Sequence, residues 1–138
     1  YAILILAELA TYPSDTILTS KEIAANRSIP VNLVVQLLAL LKEAGWTTGT
    51  RGPSGGIRLT GNPAMITLRD VVEKIDGPIN ITRCLFNDSP CQGKDHCSLR
   101  NIWSTAQKSM LSVLSQFTIM DLATDSLGDL LPIAITKK

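Results

Sequence analysis

The chain has 138 residues, of which 45% are hydrophobic and 4% aromatic. A core rich in aliphatic residues and poor in aromatic rings favours helices over a β-sandwich, so we expect a mainly α protein. The formal net charge of +1 excludes a general electrostatic attraction to nucleic acid, so any such binding must come from local placement of charge.

The sequence contains no apolar run long enough to span a bilayer and no recognisable leader peptide, which predicts a cytoplasmic protein. The chain begins at Tyr1 rather than at a methionine. We therefore expect the natural protein to have residues before Tyr1.

Apolar residues at helical spacing predict three helices in the first part of the chain. The first covers residues 1–12 and ends near Pro13. The second begins at Thr19, which forms a capping-box pattern with Glu22. The third runs over VNLVVQLLALLKEAG and ends at Gly45 with a left-handed cap. Only a narrow stripe of this helix is expected to face solvent. It consists of Asn32, Gln36, Ala39 and Glu43.

The segment after Gly45 changes from helical to strand character. It reads WTTGT, RGPSGG and IRLT, a strand, a glycine-rich turn and a second strand, which predicts a β-hairpin. A fourth helix is predicted to begin at Thr67, with Asp70 in the capping-box position, and to end at Gly77.

Apolar residues then recur at steps of three and four from Leu99 to Phe117, which predicts a long helix with one apolar face. A helix of this kind needs a partner. Thr118 and Asp121 are predicted to cap a last short helix, and we expect the tail after Leu131 to be poorly ordered.

Two short helices joined by a tight turn and followed by a β-hairpin form a winged helix-turn-helix. Asn32 and Gln36 on its second helix carry carboxamides, which can pair bidentately with adenine. Alternatively, both are merely solvated residues of an amphipathic helix. Arg51 at the shoulder of the glycine-rich turn favours DNA binding, because an arginine there can enter a narrow minor groove. Further phosphate contacts are expected from Lys21, Arg27, Lys42 and Arg58.

All three cysteines, Cys84, Cys91 and Cys97, lie in one polar loop at C-x6-C-x5-C spacing. Structural zinc sites usually separate paired cysteines by about two to four residues, so this looser spacing favours an iron-sulfur cluster. The fourth ligand would be another side chain, a residue of a second subunit or a small molecule. The alternatives are a redox-active thiol pair and three buried structural cysteines. We expect His96 to be a solvated loop residue, because neighbouring residues ligate one cluster only with a contorted backbone.

No catalytic constellation is recognisable in the sequence, so an enzyme is not expected. The single histidine lies in the cysteine loop, and RGPSGG lacks the Lys and the Ser or Thr of a phosphate-binding loop. An alternative of another class is an iron-sulfur electron carrier, in which the winged helix would be incidental.

The block KEAGW, RGPSGGIRL and NP, followed by three cysteines and a long helix, resembles the bacterial iron-sulfur winged-helix repressors. These include the cluster regulator IscR, the nitric-oxide sensor NsrR and the iron regulator RirA. The resemblance implies a cytoplasmic homodimer that crosses its long helices, binds palindromic promoter DNA and holds one cluster per subunit. The expected DNA-binding residues are Lys21, Asn32, Leu33, Gln36, Arg51, Gly52, Ser54 and Arg58, and the expected cluster ligands are Cys84, Cys91 and Cys97.

Two departures from the resembled family bear on function. Arg100 stands where a histidine completes a 2Fe-2S site in one branch, and a protonated guanidinium does not normally ligate. In another branch a carboxylate completes a 4Fe-4S site, and its counterpart would fall before Tyr1, so the type of cluster stays open. Val35 stands where the family often has a glutamate that discriminates between DNA sites.

The sequence thus predicts one folding unit with three parts. Residues 1–77 would form the winged helix-turn-helix, residues 78–97 the cluster-binding loop, and residues 98–138 the dimerisation helix, a short helix and the tail. The protein would be a regulator that senses iron-sulfur status, redox state or nitric oxide through the cluster. The alternative within the same class is a metal-free thiol switch.

Overall fold

The computed structural model describes residues 1–91 and 93–125, so the predicted disorder of the tail after Leu131 lies outside the described residues. Within these residues the chain forms six α-helices and one two-stranded antiparallel sheet, which confirms the predicted mainly α fold. The elements are α1 (Ala2–Ala10), α2 (Ser20–Arg27), α3 (Val31–Glu43), β1 (Thr47–Thr50), β2 (Gly56–Leu59), α4 (Leu68–Asp76), α5 (Ser98–Gln116) and α6 (Ile119–Ala123). Two 3₁₀ turns, Arg83–Leu85 and Lys94–His96, lie between α4 and α5.

The predicted capping boxes are present at the starts of α2, α4 and α6. At α2, the backbone N–H of Glu22 donates to the Thr19 hydroxyl at 3.2 Å, and the Thr19 N–H donates to the Glu22 carboxylate at 2.7 Å. The backbone hydrogen bond from Thr19, followed by the one from its hydroxyl, holds the pKa of Glu22 below its ordinary value. Local sequence therefore fixes where these three helices begin.

The hydrophobic core is built around α1, whose Ile5 and Leu6 are fully buried. Residues from every other helix except α5 join them, and all of them are aliphatic, as the composition predicts. Among the most deeply buried are Ile23, Val34, Leu41, Val71 and Ile119. In α4, Val71 is buried, whereas Leu68 and Ile75 are half-buried and pack against this core from its edge.

The chain returns to this core after α5. Ile119 of α6 is fully buried, and its N–H donates to the carbonyl of Ile66 at 2.9 Å. The N–H of Leu68 donates in turn to the carbonyl of Phe117 at 2.9 Å. These backbone hydrogen bonds join the C-terminal end of α5 to the start of α4.

Glu8 on the core side of α1 is a buried carboxylate that the sequence did not single out. It is 7% exposed, and it accepts hydrogen bonds from Asn26 Nδ2 at 2.9 Å and from Arg27 Nε at 2.6 Å. The Tyr12 hydroxyl lies 3.3 Å from the same carboxylate. Burial of a charged group is costly unless it is paired, and here two of the three donors, Asn26 and Arg27, come from α2. Glu8 therefore fastens α2 to α1.

The long helix α5 is present as predicted, but in the described chain it has no buried residue. Leu99, Ile102, Trp103 and Val113 are 58%, 63%, 41% and 49% exposed. The apolar stripe predicted from the sequence is therefore only partly covered in a single chain: these four residues are exposed, whereas Met110, Leu114 and Phe117 are half-buried. That this stripe forms a dimer interface stays a prediction.

Among the described residues, no single helix has both the length and the apolar composition to cross a membrane, although α2 and α3 reach them as a pair bent by 115°.

Replacing Glu8 with alanine removes the acceptor that Asn26 and Arg27 share. We expect Glu8→Ala to lower the free energy of unfolding by about 2 kcal/mol, because charged hydrogen bonds at a partly buried site are lost. Urea titration followed by circular dichroism measures the change. The matched control is Glu43→Ala, since the Glu43 side chain is 69% exposed in its ion pair with Lys74. It should change stability by about 0.5 kcal/mol or less. Equal losses in the two variants would contradict the role of Glu8.

Candidate nucleic-acid interface and cysteine loop

Helices α2 and α3 form the two arms of a helix-turn-helix. They are bent by 115° at the turn, which is the range of DNA-binding helix-turn-helix units. Ser28 ends α2 in the left-handed conformation with φ of 53°, and Ile29 is buried in the core. Pro30 begins α3, and its carbonyl accepts the N–H of Leu33 at 3.0 Å. The turn is thus anchored by both backbone geometry and burial.

The outward face of α3 carries the stripe predicted from the sequence. Asn32, Gln36, Ala39 and Glu43 are all exposed. Leu33 is different, because it is half-buried and packs against the core. Its side chain lies toward the core, about 100° around the helix from Asn32, and its expected DNA contact stays a prediction.

The wing is the β1–β2 hairpin, in which Thr47 pairs with Leu59 and Thr50 with Gly56. Its tip, residues 51–54, is exposed, and Gly52 adopts φ of +114°, which favours glycine. The N–H of Gly55 donates to the carbonyl of Gly52 at 2.9 Å and closes the turn. Arg51, Gly52 and Ser54 are therefore presented to solvent at the tip.

The wing is joined to the segment before α2 through the backbone. Leu18 and Ile57 exchange two N–H to carbonyl hydrogen bonds of 2.8 and 2.7 Å. Gly56 permits this close approach, because a Cβ atom there would lie 2.5 Å from Ile17 Cγ2 and 2.7 Å from the Leu18 oxygen. The arrangement leaves an open cleft between the wing and the helix-turn-helix, lined by residues that include Thr19, Ser20, Lys42 and Arg51.

Basic side chains are exposed on the helix-turn-helix and on the wing. Lys21, Lys42, Arg51 and Arg58 are exposed. Arg27 also donates from its Nε to buried Glu8 at 2.6 Å, and its side chain is 31% exposed. It therefore has a structural role, and its expected phosphate contact stays a prediction.

The two acidic side chains of residues 19–58 both have partners. Glu22 belongs to the capping box with Thr19. Glu43, at the end of α3, pairs with Lys74 Nζ at 3.0 Å.

The cysteine loop spans the two 3₁₀ turns at the base of α5. Cys84 lies in the first turn, Cys97 directly precedes α5, and Cys91 is exposed between them. Arg100 of α5 donates from Nε to the carbonyl oxygen of Cys84 at 2.9 Å. The side chain that stands in place of a histidine ligand thus holds the backbone of the loop, which the sequence did not predict.

Two further hydrogen bonds involve this loop. The hydroxyl of Thr82 lies 3.7 Å from Cys84 Sγ. The side chain of Gln107 on α5 accepts the N–H of Ile81 at 3.0 Å. The start of the loop is therefore attached to α5 at two residues, Arg100 and Gln107, which are seven positions apart in the helix.

The cysteine thiols of the loop are suitable donors for an iron-sulfur cluster, but they are not gathered into a formed binding site. All three cysteines are free, and thiolates are the donors that such clusters take. Within residues 1–91 and 93–125, however, no three His, Cys, Asp or Glu side chains converge on a point where a metal ion would bind. His96 is exposed, as predicted.

The fold and the hairpin define a winged-helix protein, and the comparisons with known proteins identify its family. Residues 1–125 match the family Rrf2, described as an iron-dependent transcriptional regulator. The chain belongs to this family. It is a transcriptional regulator rather than an enzyme. This confirms the predicted class of protein and the expectation that it has no enzymatic function.

Two relatives and one solved structure illustrate the similarity. The transcriptional regulator NsrR of Bacillus licheniformis is 29% identical over 123 residues, which cover 88% of this chain and 86% of that protein. The regulator IscR of Yersinia enterocolitica is 26% identical over 134 residues, covering 97% and 80%. The structure of CymR, the global cysteine regulator of B. subtilis, superposes with a TM-score of 0.68 at 26% identity, covering 91% and 92%.

The close approach at Gly56 provides a test of how the wing is attached. We expect Gly56→Ala to lower the free energy of unfolding by about 1 to 3 kcal/mol, because the added methyl group meets the backbone of Leu18. Gly49→Ala in the opposite strand is the control, since a Cβ atom there would lie 3.6 Å from the Gly56 oxygen, an ordinary contact. Thermal unfolding of both variants measures the difference. A Gly56→Ala protein as stable as Gly49→Ala would refute the steric argument.

Proposed function

We propose that the chain is a cytoplasmic, homodimeric repressor that binds palindromic promoter DNA and senses its signal through the cysteine loop. The observation that carries the DNA-binding part is the exposed carboxamide stripe of α3 beside a basic wing. Asn32 and Gln36 would enter the major groove and pair with base edges. Arg51, with the backbone at Gly52 and the hydroxyl of Ser54, would lie in the adjoining minor groove.

The phosphate contacts in this proposal come from Lys21 and Arg58. Both side chains are exposed, Lys21 on α2 and Arg58 on strand β2 of the wing. Such contacts fix the position of the protein on the duplex without reading sequence. They would supply the local positive charge that the net charge of +1 does not provide.

The proposal of a homodimer rests on α5. Leu99, Ile102, Trp103 and Val113 leave an apolar face uncovered along a helix of 19 residues. A second copy of α5 crossing the first would bury it on both sides, and a two-fold axis would match a palindromic operator.

The proposed sensor is an iron-sulfur cluster, of 2Fe-2S or 4Fe-4S type, held by Cys84, Cys91 and Cys97. Such a group, when bound, supplies reversible one-electron chemistry and sensitivity to oxidants. The chain itself contributes the loop that positions the thiols. Arg100 fixes the Cys84 end, and the start of α5 fixes the Cys97 end.

The same loop gives a physical route to the DNA-binding face. It joins α4 to α5, and α4 packs against both α1 and α3. A rearrangement of residues 84–97 would shift α5 relative to α4, and with it the distance between the two α3 helices of a dimer. Because half-site spacing is a geometric requirement of dimeric readers, a small shift would change DNA affinity.

A second candidate function is a metal-free thiol switch, favoured by the three free and unassembled thiols of the described loop. Two of them would form a disulfide as an oxidant takes up two electrons and two protons, and a dithiol reductant would reverse the reaction. The electron-carrier alternative is not carried further, because the family consists of transcriptional regulators.

Anaerobic purification separates the two sensors. We expect bound iron and sulfide and a visible absorption band, all lost in Cys84→Ser, Cys91→Ser and Cys97→Ser. The matched control is His96→Ala, which should keep all three because His96 is exposed and not proposed as a ligand. Iron-free protein that loses DNA binding with diamide and regains it with dithiothreitol would favour the thiol switch. Colourless protein whose DNA affinity responds to neither treatment would exclude both sensors.

The wing is tested by Arg51→Ala. We expect about tenfold weaker binding to a duplex selected from a randomised pool, together with a smaller dependence of affinity on salt. Arg69→Ala on α4 is the control, because it removes the same charge from an ion pair with Glu73 within one helix. Fluorescence anisotropy at several salt concentrations provides both quantities. Unchanged binding by Arg51→Ala would remove the wing from the mechanism.

A further inference from the structure

The outward face of α3 carries two valines that the DNA-binding proposal has not used. Val31 is 43% exposed and Val35 is 53% exposed. Their spacing of four residues places them one turn apart on the same side of the helix. Valine is a weaker helix former than alanine or leucine, and neither residue gains full burial here. Stability of α3 therefore does not account for them.

The stretch of α3 that carries these valines is uncharged. From Val31 to Leu41, α3 contains no acidic or basic residue. The other exposed residues of this stretch are Asn32, Gln36 and Ala39, and Lys42 lines a cleft together with Val35. Recognition by residues 31–41 themselves would then depend on hydrogen bonds and apolar contacts, with Lys42 next to them as a cation.

The charges that border this face select the kind of surface it fits. Lys42 and Arg51 line the open cleft beside it, and Lys21 on α2 and Arg58 on β2 are exposed. Glu22 and Glu43 are engaged with Thr19 and Lys74. An apolar and amide centre within a basic border is complementary to a major groove flanked by phosphates, and is poorly matched to an apolar protein surface.

Within a major groove, an apolar side chain has one distinctive feature to contact, which is the C5-methyl group of thymine. We infer that Val31 and Val35 contact thymine methyl groups. Each half-site would then contain A·T pairs in which the protein contacts both the thymine and the adenine. The valines would contact the methyl group of thymine, and the carboxamides would pair with adenine. This inference rests on the proposed function, since it requires α3 to lie in the major groove.

Deoxyuridine provides the test, because it differs from thymidine only by the missing methyl group. The full chain is used to select duplexes from a randomised pool, and an enriched duplex is resynthesised with deoxyuridine at single thymine positions. We expect about threefold to fourfold weaker binding at the positions under the valines, from the loss of one buried methyl contact each. Deoxyuridine at flanking positions outside the half-sites should leave binding unchanged.

Protein variants assign the effect to the valines. In Val31→Ala and Val35→Ala, we expect the penalty for deoxyuridine to disappear at one position each. Asn32→Ala is the matched control: it should weaken binding to every duplex and keep the penalty at both positions. Both valines are exposed in the helix, so alanine at either position should leave the fold intact.

The possible results distinguish the inference from the function on which it rests. No enrichment of any duplex would overturn the DNA-binding proposal together with this inference. Enrichment with no penalty for deoxyuridine, or with a penalty that Val31→Ala and Val35→Ala both retain, would overturn the inference alone. A change of oligomeric state in either valine variant, with the penalty intact, would likewise overturn it and assign the valines to a protein contact.

Discussion

The burial of α1 is the constraint on which the rest of the structure depends. Ile5 and Leu6 have no exposed surface, and α2, α3, α4, α6 and β2 all pack against this helix. Glu8 adds direction to what would otherwise be non-directional apolar packing, because its carboxylate accepts hydrogen bonds from two successive residues of α2. The orientation of α2, and through the tight turn that of α3, thus follows from α1.

The cysteine loop is connected to the candidate DNA-binding face through α5 and α4. Arg100 joins the loop to α5, and α4 joins α5 to α3. In one branch of the resembled family a histidine at this position completes the cluster site. Here the Arg100 guanidinium instead binds the backbone carbonyl of Cys84. Arg100 therefore acts on the loop through the backbone in either form of the proposed sensor.

Local patterns predicted most of the fold. The three threonine and carboxylate pairs identified the starts of α2, α4 and α6, because a capping box is satisfied by residues three apart. The glycine-rich turn between two strand-like segments likewise identified the wing, because its signal is also local in sequence. What escaped prediction depends on contacts distant in sequence. Arg27 was expected to contact phosphate, and only the fold brings it to Glu8, 19 residues away.

The candidate site was predicted unevenly. The polar stripe of α3 was identified because polar residues are few in that helix, whereas the positions of its many apolar residues could not be ranked. The structure separates them: Leu33 packs against the core, but Val31 and Val35 lie in solvent. The hydrogen bond of Arg100 could not be predicted either, since it joins a side chain of α5 to a backbone carbonyl.

The attachment of the wing by backbone hydrogen bonds has a consequence for how such a protein changes its target. Leu18 and Ile57 are joined through groups that every residue except proline possesses, and Gly56 contributes only its small size. The side chains of residues 51–54 take no part in this attachment. In the proposed DNA complex, substitutions there would alter what the wing reads without loosening it, so anchorage and readout would be separable by mutation. New operator preferences could then be acquired at the tip while the scaffold is inherited intact.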